Sequence, residues 1–80
     1  MNTKAITIRN ERKTNLRVII EPLADEIVLE AGASARFIVE VTNDSSEFEI
    51  GVAEAEAVVY LPSGFSEINV SINGQKYIEL

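Results

Sequence analysis

The side chains in this sequence that could do chemistry are mostly carboxylates, and several of them are closely spaced. Three such pairs are Asp25 with Glu26, Glu47 with Glu49, and Glu54 with Glu56. Two carboxylates can act as general acid and general base in hydrolysis. On a strand, however, residues two apart share one face, and acids on an exposed face are usually a solvated surface. We therefore assign no catalytic residue to these pairs.

Nucleophilic catalysis has little support in the composition. The chain contains no cysteine and no histidine, so its serines lack the usual base that would activate them. The segment Ser63-Gly64-Phe65-Ser66 lacks the flanking glycines of a nucleophile elbow. The same composition excludes disulfides and argues against the common zinc, copper and non-haem iron sites. We expect a non-enzymatic protein with no cofactor.

Calcium is the one metal that the composition permits, because it binds through oxygen atoms alone. The polar segment Asn43–Glu49 concentrates such oxygens. It lacks the length and spacing of an EF-hand loop, and a simple turn accounts for the same residues. A turn is therefore the favoured interpretation, and a calcium-assisted site is the open alternative.

The charge is unevenly distributed along the chain. Residues 1–17 carry five basic side chains and one acid, a balance of +4, whereas residues 18–80 carry two basic side chains and twelve acids, a balance of −10. Cross-strand pairs within one molecule would explain this pattern. The alternative is that the basic end of one copy meets the acidic face of another copy or of an acidic partner. The net charge of −6 disfavours nucleic acid as a partner.

No stretch of the chain predicts a membrane or export segment. No apolar run approaches the roughly 20 residues that span a bilayer. The first ten residues lack the apolar core of a signal peptide. Together with the absence of cysteine, this predicts a cytoplasmic location.

Alternating apolar and polar residues predict strands throughout the chain. Pro22, Gly32 and the Asn73-Gly74 pair mark turns between them, the last typical of a type I′ hairpin. An Ala-Glu repeat at 53–57 is the one segment with good helix propensity, and a short helical turn is the minority interpretation there. The predicted strands lie at 4–9, 16–21, 24–30, 35–42, 47–52, 54–61, 66–72 and 76–80. This pattern predicts an all-β fold, a small antiparallel β-sandwich or partly open barrel of seven to eight short strands, as a single domain over residues 1–80.

The alternation also separates core residues from a surplus of apolar residues on the opposite faces. Phe48, Ile50 and Val52 are among the side chains predicted to point inward. Phe65 lies in a turn, where it either caps one end of the sandwich or makes an external contact. The residues out of phase with the core are Ile19, Val28, Ile38, Val58 and Tyr60. If these five gather on one sheet, its outer face is an interface.

The run Leu16-Arg17-Val18-Ile19-Ile20-Glu21-Pro22, followed by Ile27-Val28-Leu29-Glu30-Ala31-Gly32, resembles short uncharacterised bacterial β-proteins. These share a strand ending in Glu-Pro, a second strand and a glycine turn. The resemblance implies a cupredoxin-like or cupin-like sandwich. Those fold groups normally bind metal through histidine or cysteine, so no metal site carries over to this chain.

The sequence therefore favours a binding protein. Our leading hypothesis is a protein-interaction or assembly module that self-associates as a dimer, with Ile19, Val28, Ile38, Val58, Tyr60 and Phe65 as candidate interface residues. A chain this small, without disulfides or a structural metal, commonly gains stability by oligomerisation. The alternative is a small ligand- or carbohydrate-binding module, assisted by calcium.

Overall fold

The computed structural model describes residues 2–79, and the side chains of residues 2–77. Within this range all regular structure is β-strand, as the alternation predicts. The strands are β1 (Asn2–Arg9), β2 (Leu16–Glu21), β3 (Asp25–Leu29), β4 (Ser34–Val41), β5 (Glu49–Val52), β6 (Glu56–Tyr60), β7 (Phe65–Ile72) and β8 (Gln75–Glu79). A helix long and apolar enough to cross a membrane is not found among these residues.

The strands form two four-stranded sheets. Sheet I has the order β1-β4-β7-β8, and sheet II has the order β3-β2-β6-β5. Neighbouring strands are antiparallel except β2 and β6, which run parallel. The predicted all-β sandwich is confirmed. The parallel pair, which the strand pattern alone does not indicate, makes sheet II mixed.

The core lies between the inner faces of the two sheets. Phe37, Val39 and Val41 of β4 face it from sheet I, and Val18 and Ile20 of β2 face it from sheet II. All five are essentially inaccessible to solvent. Fully burying each apolar side chain of this kind stabilises the fold by about 1.5–3 kcal/mol before entropy is counted. β2 and β4, one central strand from each sheet, therefore supply much of the stability.

A buried asparagine joins the loop after β1 to the end of β3. Asn10 is fully buried, and its side-chain amide nitrogen donates to the carbonyl oxygens of Thr14 and Leu29, both at 2.9 Å. Its Oδ1 accepts a hydrogen bond from the backbone N–H of Arg12 at 3.0 Å. The side chain thus holds the β1–β2 loop against sheet II.

Every described strand boundary agrees with the prediction to within two residues. The 54–61 segment starts at Glu56, and the minority interpretation of a helical turn at 53–57 is wrong, because residues 53–55 connect β5 to β6 and residues 56 and 57 belong to β6. Asn73 and Gly74 have φ of 52° and 83°, as a type I′ turn requires. Leu80, the last residue of the predicted final strand, lies outside the described residues.

The prediction for β5 is wrong in one respect. Ile50 and Val52 do lie opposite the buried Val59 and Ala57, on the inner face of sheet II, but they are 40% and 81% exposed. Phe48, in the loop before β5, does pack against the core. Alternation shows on which side of a strand a residue lies, whereas burial also needs a layer that covers that side.

Candidate interaction surface

Four of the out-of-phase apolar residues lie together on the outer face of sheet II. Ile19 of β2 lies beside Val58 of β6, which lies beside Gly51 of β5. Val28 of β3 lies one row away on one side, next to Arg17, and Tyr60 of β6 lies one row away on the other. We call the surface formed by Ile19, Val28, Val58 and Tyr60 the apolar face. It exists because β2 and β6 are neighbours, which brings residues 39 apart in the sequence into one row.

The apolar face is accessible at its two ends. Val28 is 53% exposed and Tyr60 is 47% exposed, whereas Ile19 and Val58 in the middle are partly buried. A Cβ atom built on Gly51 would lie 3.7 Å from Cε2 of Tyr60, so the ring extends toward the glycine. The tyrosine therefore continues the apolar surface onto β5, where Gly51 contributes no side chain.

One cation lies within this surface between two acids. Arg17 Nη2 is 2.7 Å from Oε2 of Glu56, and its Nε is 3.8 Å from Oε1 of Glu26. The Arg17 and Glu26 side chains are about half exposed, and Glu56 somewhat less. Exposed pairs of this kind contribute about 0–1 kcal/mol to stability. Arg17 lies between Val28 and Glu56, and Glu26 lies beside Ile19, so these three charged side chains stand among the apolar residues of the face.

Ile38 and Phe65 do not lie on the apolar face. Ile38 is on the outer face of sheet I, partly buried between Ala5 and Asn69, so the condition that all five out-of-phase residues gather on one sheet is met by four of them and not by Ile38. Strand order, which the alternation does not determine, places β4 in the other sheet. Phe65 is partly buried against the core. A register shift pairs it with Val41, which turns its ring inward, so it caps the sandwich.

The outer face of sheet I is mostly polar. Thr7 accepts a hydrogen bond from Nη1 of Arg36 at 3.2 Å on this face. Glu40 lies opposite Glu67 on the neighbouring strand, and Asn69 and Ser71 complete the row along β7. Among the side chains of residues 2–77, only the outer face of sheet II therefore carries several clustered apolar side chains.

The acidic residues do not converge on a single point. Among the described residues there is no group of three or more histidine, cysteine, aspartate or glutamate side chains that could hold a metal ion. Glu54 and Glu56 line an open depression together with Arg17, Ala53 and Ala55. This depression adjoins the apolar face, and Arg17 and Glu56 in it already form an ion pair.

The segment considered for calcium is held by its own hydrogen bonds. Oδ1 of Asn43 accepts from the backbone N–H of Ser45 at 2.9 Å and from its hydroxyl at 2.7 Å. The carbonyl oxygen of Asp44 accepts a bond from Nζ of Lys4 at 2.6 Å. Side-chain bonds of this kind are typical of a turn, and two of the oxygens that a cation would use are already engaged.

The basic residues of the N-terminal region partly bind within the molecule. Lys4 reaches the loop after β4, as described above. Arg12 donates from Nη1 to the carbonyl oxygen of Glu54 and from Nη2 to the hydroxyl of Thr14 at 3.1 Å. With Arg17, three of the five basic side chains therefore contact acidic residues or their backbone in the same chain, in line with the intramolecular explanation of the uneven charge.

Comparison with known proteins adds no information on function. A scan of protein-family models, a search of curated proteins and a search of solved structures each returned no match to this chain. The resemblance to short bacterial β-proteins stays a prediction from the sequence.

Proposed function

We propose that this protein is a non-enzymatic protein-interaction module that self-associates as a dimer through the apolar face of sheet II. The observation that carries the proposal is the clustering of Ile19, Val28, Val58 and Tyr60 on one outer face, while the outer face of sheet I is mostly polar. A cluster of apolar side chains on an outer face is a common sign of a protein interface.

A second copy of the chain is the proposed occupant, because the size of the domain favours it. A chain of 80 residues has a small core, and without cysteine it cannot add disulfides. The face spans three strands about 4.8 Å apart and about five residues long, which is roughly 240 Å² of projected area. This is less than the roughly 800 Å² per partner of a standard interface, so the dimer belongs to the weak class.

The non-enzymatic role and the location are inferred from the composition. The chain has no histidine or cysteine, and its carboxylates are spread over exposed strand faces, which supports a role in binding. The lack of cysteine also fits a bacterial cytoplasmic location, since exported domains of this size commonly carry disulfides.

The test is the change in self-association caused by one charge on the apolar face. Val28→Glu places a carboxylate at an exposed position, so the monomer should fold normally. Burying the exposed half of a valine is worth about 1 kcal/mol, and two copies per dimer make about 2 kcal/mol, or a roughly 30-fold weaker dimer. The desolvation of the carboxylate adds to this loss.

Thr7→Glu is the matched control, because it adds the same charge on the outer face of sheet I, also on an edge strand. Light scattering coupled to size-exclusion chromatography measures the mass of each variant over a range of loading concentrations. We expect Val28→Glu to shift dimerisation to higher concentration, and Thr7→Glu to leave it unchanged. Equal behaviour of the two variants, or a wild-type chain that is monomeric throughout, would contradict the proposal.

A further inference from the structure

The β5 edge of sheet II is a second surface, besides the apolar face, with exposed apolar side chains. β5 has a strand neighbour only on its β6 side in the part of the chain that the structure describes. Its inward-facing side chains Ile50 and Val52 are 40% and 81% exposed. A free edge and uncovered apolar side chains thus occur on the same short strand.

The hydrogen-bonding pattern shows which backbone groups of β5 point outward. The N–H of Ala53 donates to the carbonyl oxygen of Glu56 at 2.8 Å, so this is a hydrogen-bonded pair. Such pairs alternate with non-hydrogen-bonded pairs along antiparallel strands. Gly51, paired with Val58, therefore bonds toward β6. It follows that the N–H and C=O groups of Ile50 and Val52 point to the free edge.

Two of the other edges carry a charge on their inward side, which is a common protection against strand pairing. On β1 the protecting residue is Lys4, which shares the side of Ile6 and Ile8 and bonds to the loop after β4. On β3 it is Asp25, which shares the side of Ile27 and Leu29. On β5 both inward residues are β-branched and apolar, so this protection is missing.

We propose that the β5 strands of two copies pair antiparallel about a two-fold axis at Gly51. In this register Ile50 of each copy lies opposite Val52 of the other, and each of these residues both donates and accepts a main-chain hydrogen bond. The two Gly51 residues face each other in a non-hydrogen-bonded pair, where Cα atoms approach to about 4.5 Å. The result is a continuous eight-stranded sheet in which four exposed β-branched side chains form one apolar row.

The charges along β5 are compatible with a second copy at this edge. The register places Glu49 opposite Ala53 of the other copy, so no acid of β5 directly faces another. The two Glu49 side chains lie four residues apart along the strands, about 13 Å, which exceeds the screening length of about 8 Å at physiological salt. The contact is small by the standard of about 800 Å² per partner, so it forms at higher concentration than the contact through the apolar face. It goes beyond the proposed function, because it uses an edge that the apolar face leaves free.

A disulfide between two copies of Gly51→Cys tests the register directly. The chain has no cysteine of its own, so any disulfide must join two molecules. A Cβ at Gly51 would lie 3.7 Å from Tyr60 and 3.9 Å from Val58, both ordinary contacts, so the fold accepts the substitution. A Cα separation of about 4.5 Å lies within the range of natural disulfides.

Glu49→Cys is the matched control, because it lies two residues away on the same face and cannot meet its own copy in this register. Under mild oxidation we expect Gly51→Cys to form the covalent dimer at least ~10-fold faster than Glu49→Cys. Adding Val52→Pro to Gly51→Cys removes an edge N–H that the monomer does not use and should abolish this advantage. Adding Ile50→Lys, which restores an inward charge, should do the same if the proline variant fails to fold.

Equal rates for the two cysteines would overturn the proposal, as would a Gly51→Cys rate that neither Val52→Pro nor Ile50→Lys reduces. A third addition, Val28→Glu, separates this proposal from the proposed function. It should leave the Gly51→Cys disulfide in place, because Val28 lies on β3, at the opposite edge of sheet II. If the disulfide forms normally while Val28→Glu has no effect on mass, the apolar face fails and the edge contact stands.

Discussion

Removal of the buried Asn10 side chain should destabilise the fold more than any other single polar substitution in the β1–β2 loop. Asn10→Ala deletes the amide that bonds to the carbonyl oxygens of Thr14 and Leu29. Asn10→Asp keeps the shape and the acceptor for the N–H of Arg12, but it turns the donating nitrogen into an oxygen that faces two carbonyls. The two variants therefore separate the loss of the side chain from the loss of its donors.

The expected magnitude follows from the burial of these bonds. The bond to Leu29 is buried, and leaving its carbonyl oxygen without a partner costs about 1–3 kcal/mol, whereas the bond to Thr14 is only partly buried and is worth about 1 kcal/mol, so Asn10→Ala should cost about 2–4 kcal/mol. A domain of 80 residues has a free energy of unfolding of about 4–12 kcal/mol, so the loss is a large fraction of the total. At about 4–8 °C per kcal/mol, the melting temperature should fall by roughly 10–30 °C.

Thermal and urea unfolding followed by circular dichroism measures this effect, at a fixed protein concentration so that association does not contribute. Asn15→Ala, an exposed asparagine of the same loop, is the control and should change the free energy of unfolding by less than about 0.5 kcal/mol. We expect Asn10→Asp to be at least as destabilising as Asn10→Ala at neutral pH. The reasoning is refuted if Asn10→Ala is no more destabilising than Asn15→Ala.

Three further outcomes check local features of the structure. Ala24 has φ of 57°, a left-handed conformation that a β-branched side chain disfavours, so Ala24→Val should lower the free energy of unfolding by about 1 kcal/mol or more. Ala31→Val in the β3–β4 turn is the control and should not have this effect. Equal melting temperatures of the two variants would contradict the strain at Ala24. Arg17→Gln breaks exposed ion pairs only, so the free energy of unfolding of the monomer, measured with denaturant, should change by less than about 1 kcal/mol. A larger loss would mean that the ion pairs are stronger than their exposure implies. Millimolar calcium should leave the melting temperature unchanged, because oxygens of the 43–49 segment are engaged within the turn; a calcium-dependent rise would revive the ligand-binding alternative.

Local structure was largely accessible from the sequence. The alternation located all eight strands, and the Asn73-Gly74 pair identified its hairpin turn, because these signals depend on neighbouring residues alone. The strand order was not accessible. The parallel neighbours β2 and β6 are joined through three intervening strands, and no local pattern encodes which strands become neighbours.

For the candidate surface, too, the local pattern could be predicted from the sequence and the strand order could not. The out-of-phase positions of Ile19, Val28, Val58 and Tyr60 were visible in the sequence, but their assembly on one sheet, and the placement of Ile38 on the other, depend on strand order. The exposed β5 edge was missed for a related reason. Ile50 and Val52 have the alternation of core residues, and only the position of β5 at the end of sheet II leaves them uncovered.

Sedimentation equilibrium of the wild-type chain tests self-association, the central claim, most directly. The measurement covers concentrations from about 1 to about 300 μM, where weak protein interfaces associate. We predict that the weight-average mass rises above 8.8 kDa and moves toward twice that value as the concentration increases, and that added salt favours association because it screens the net charge of −6 on each copy. A mass of 8.8 kDa at every concentration and salt level would contradict the proposed function.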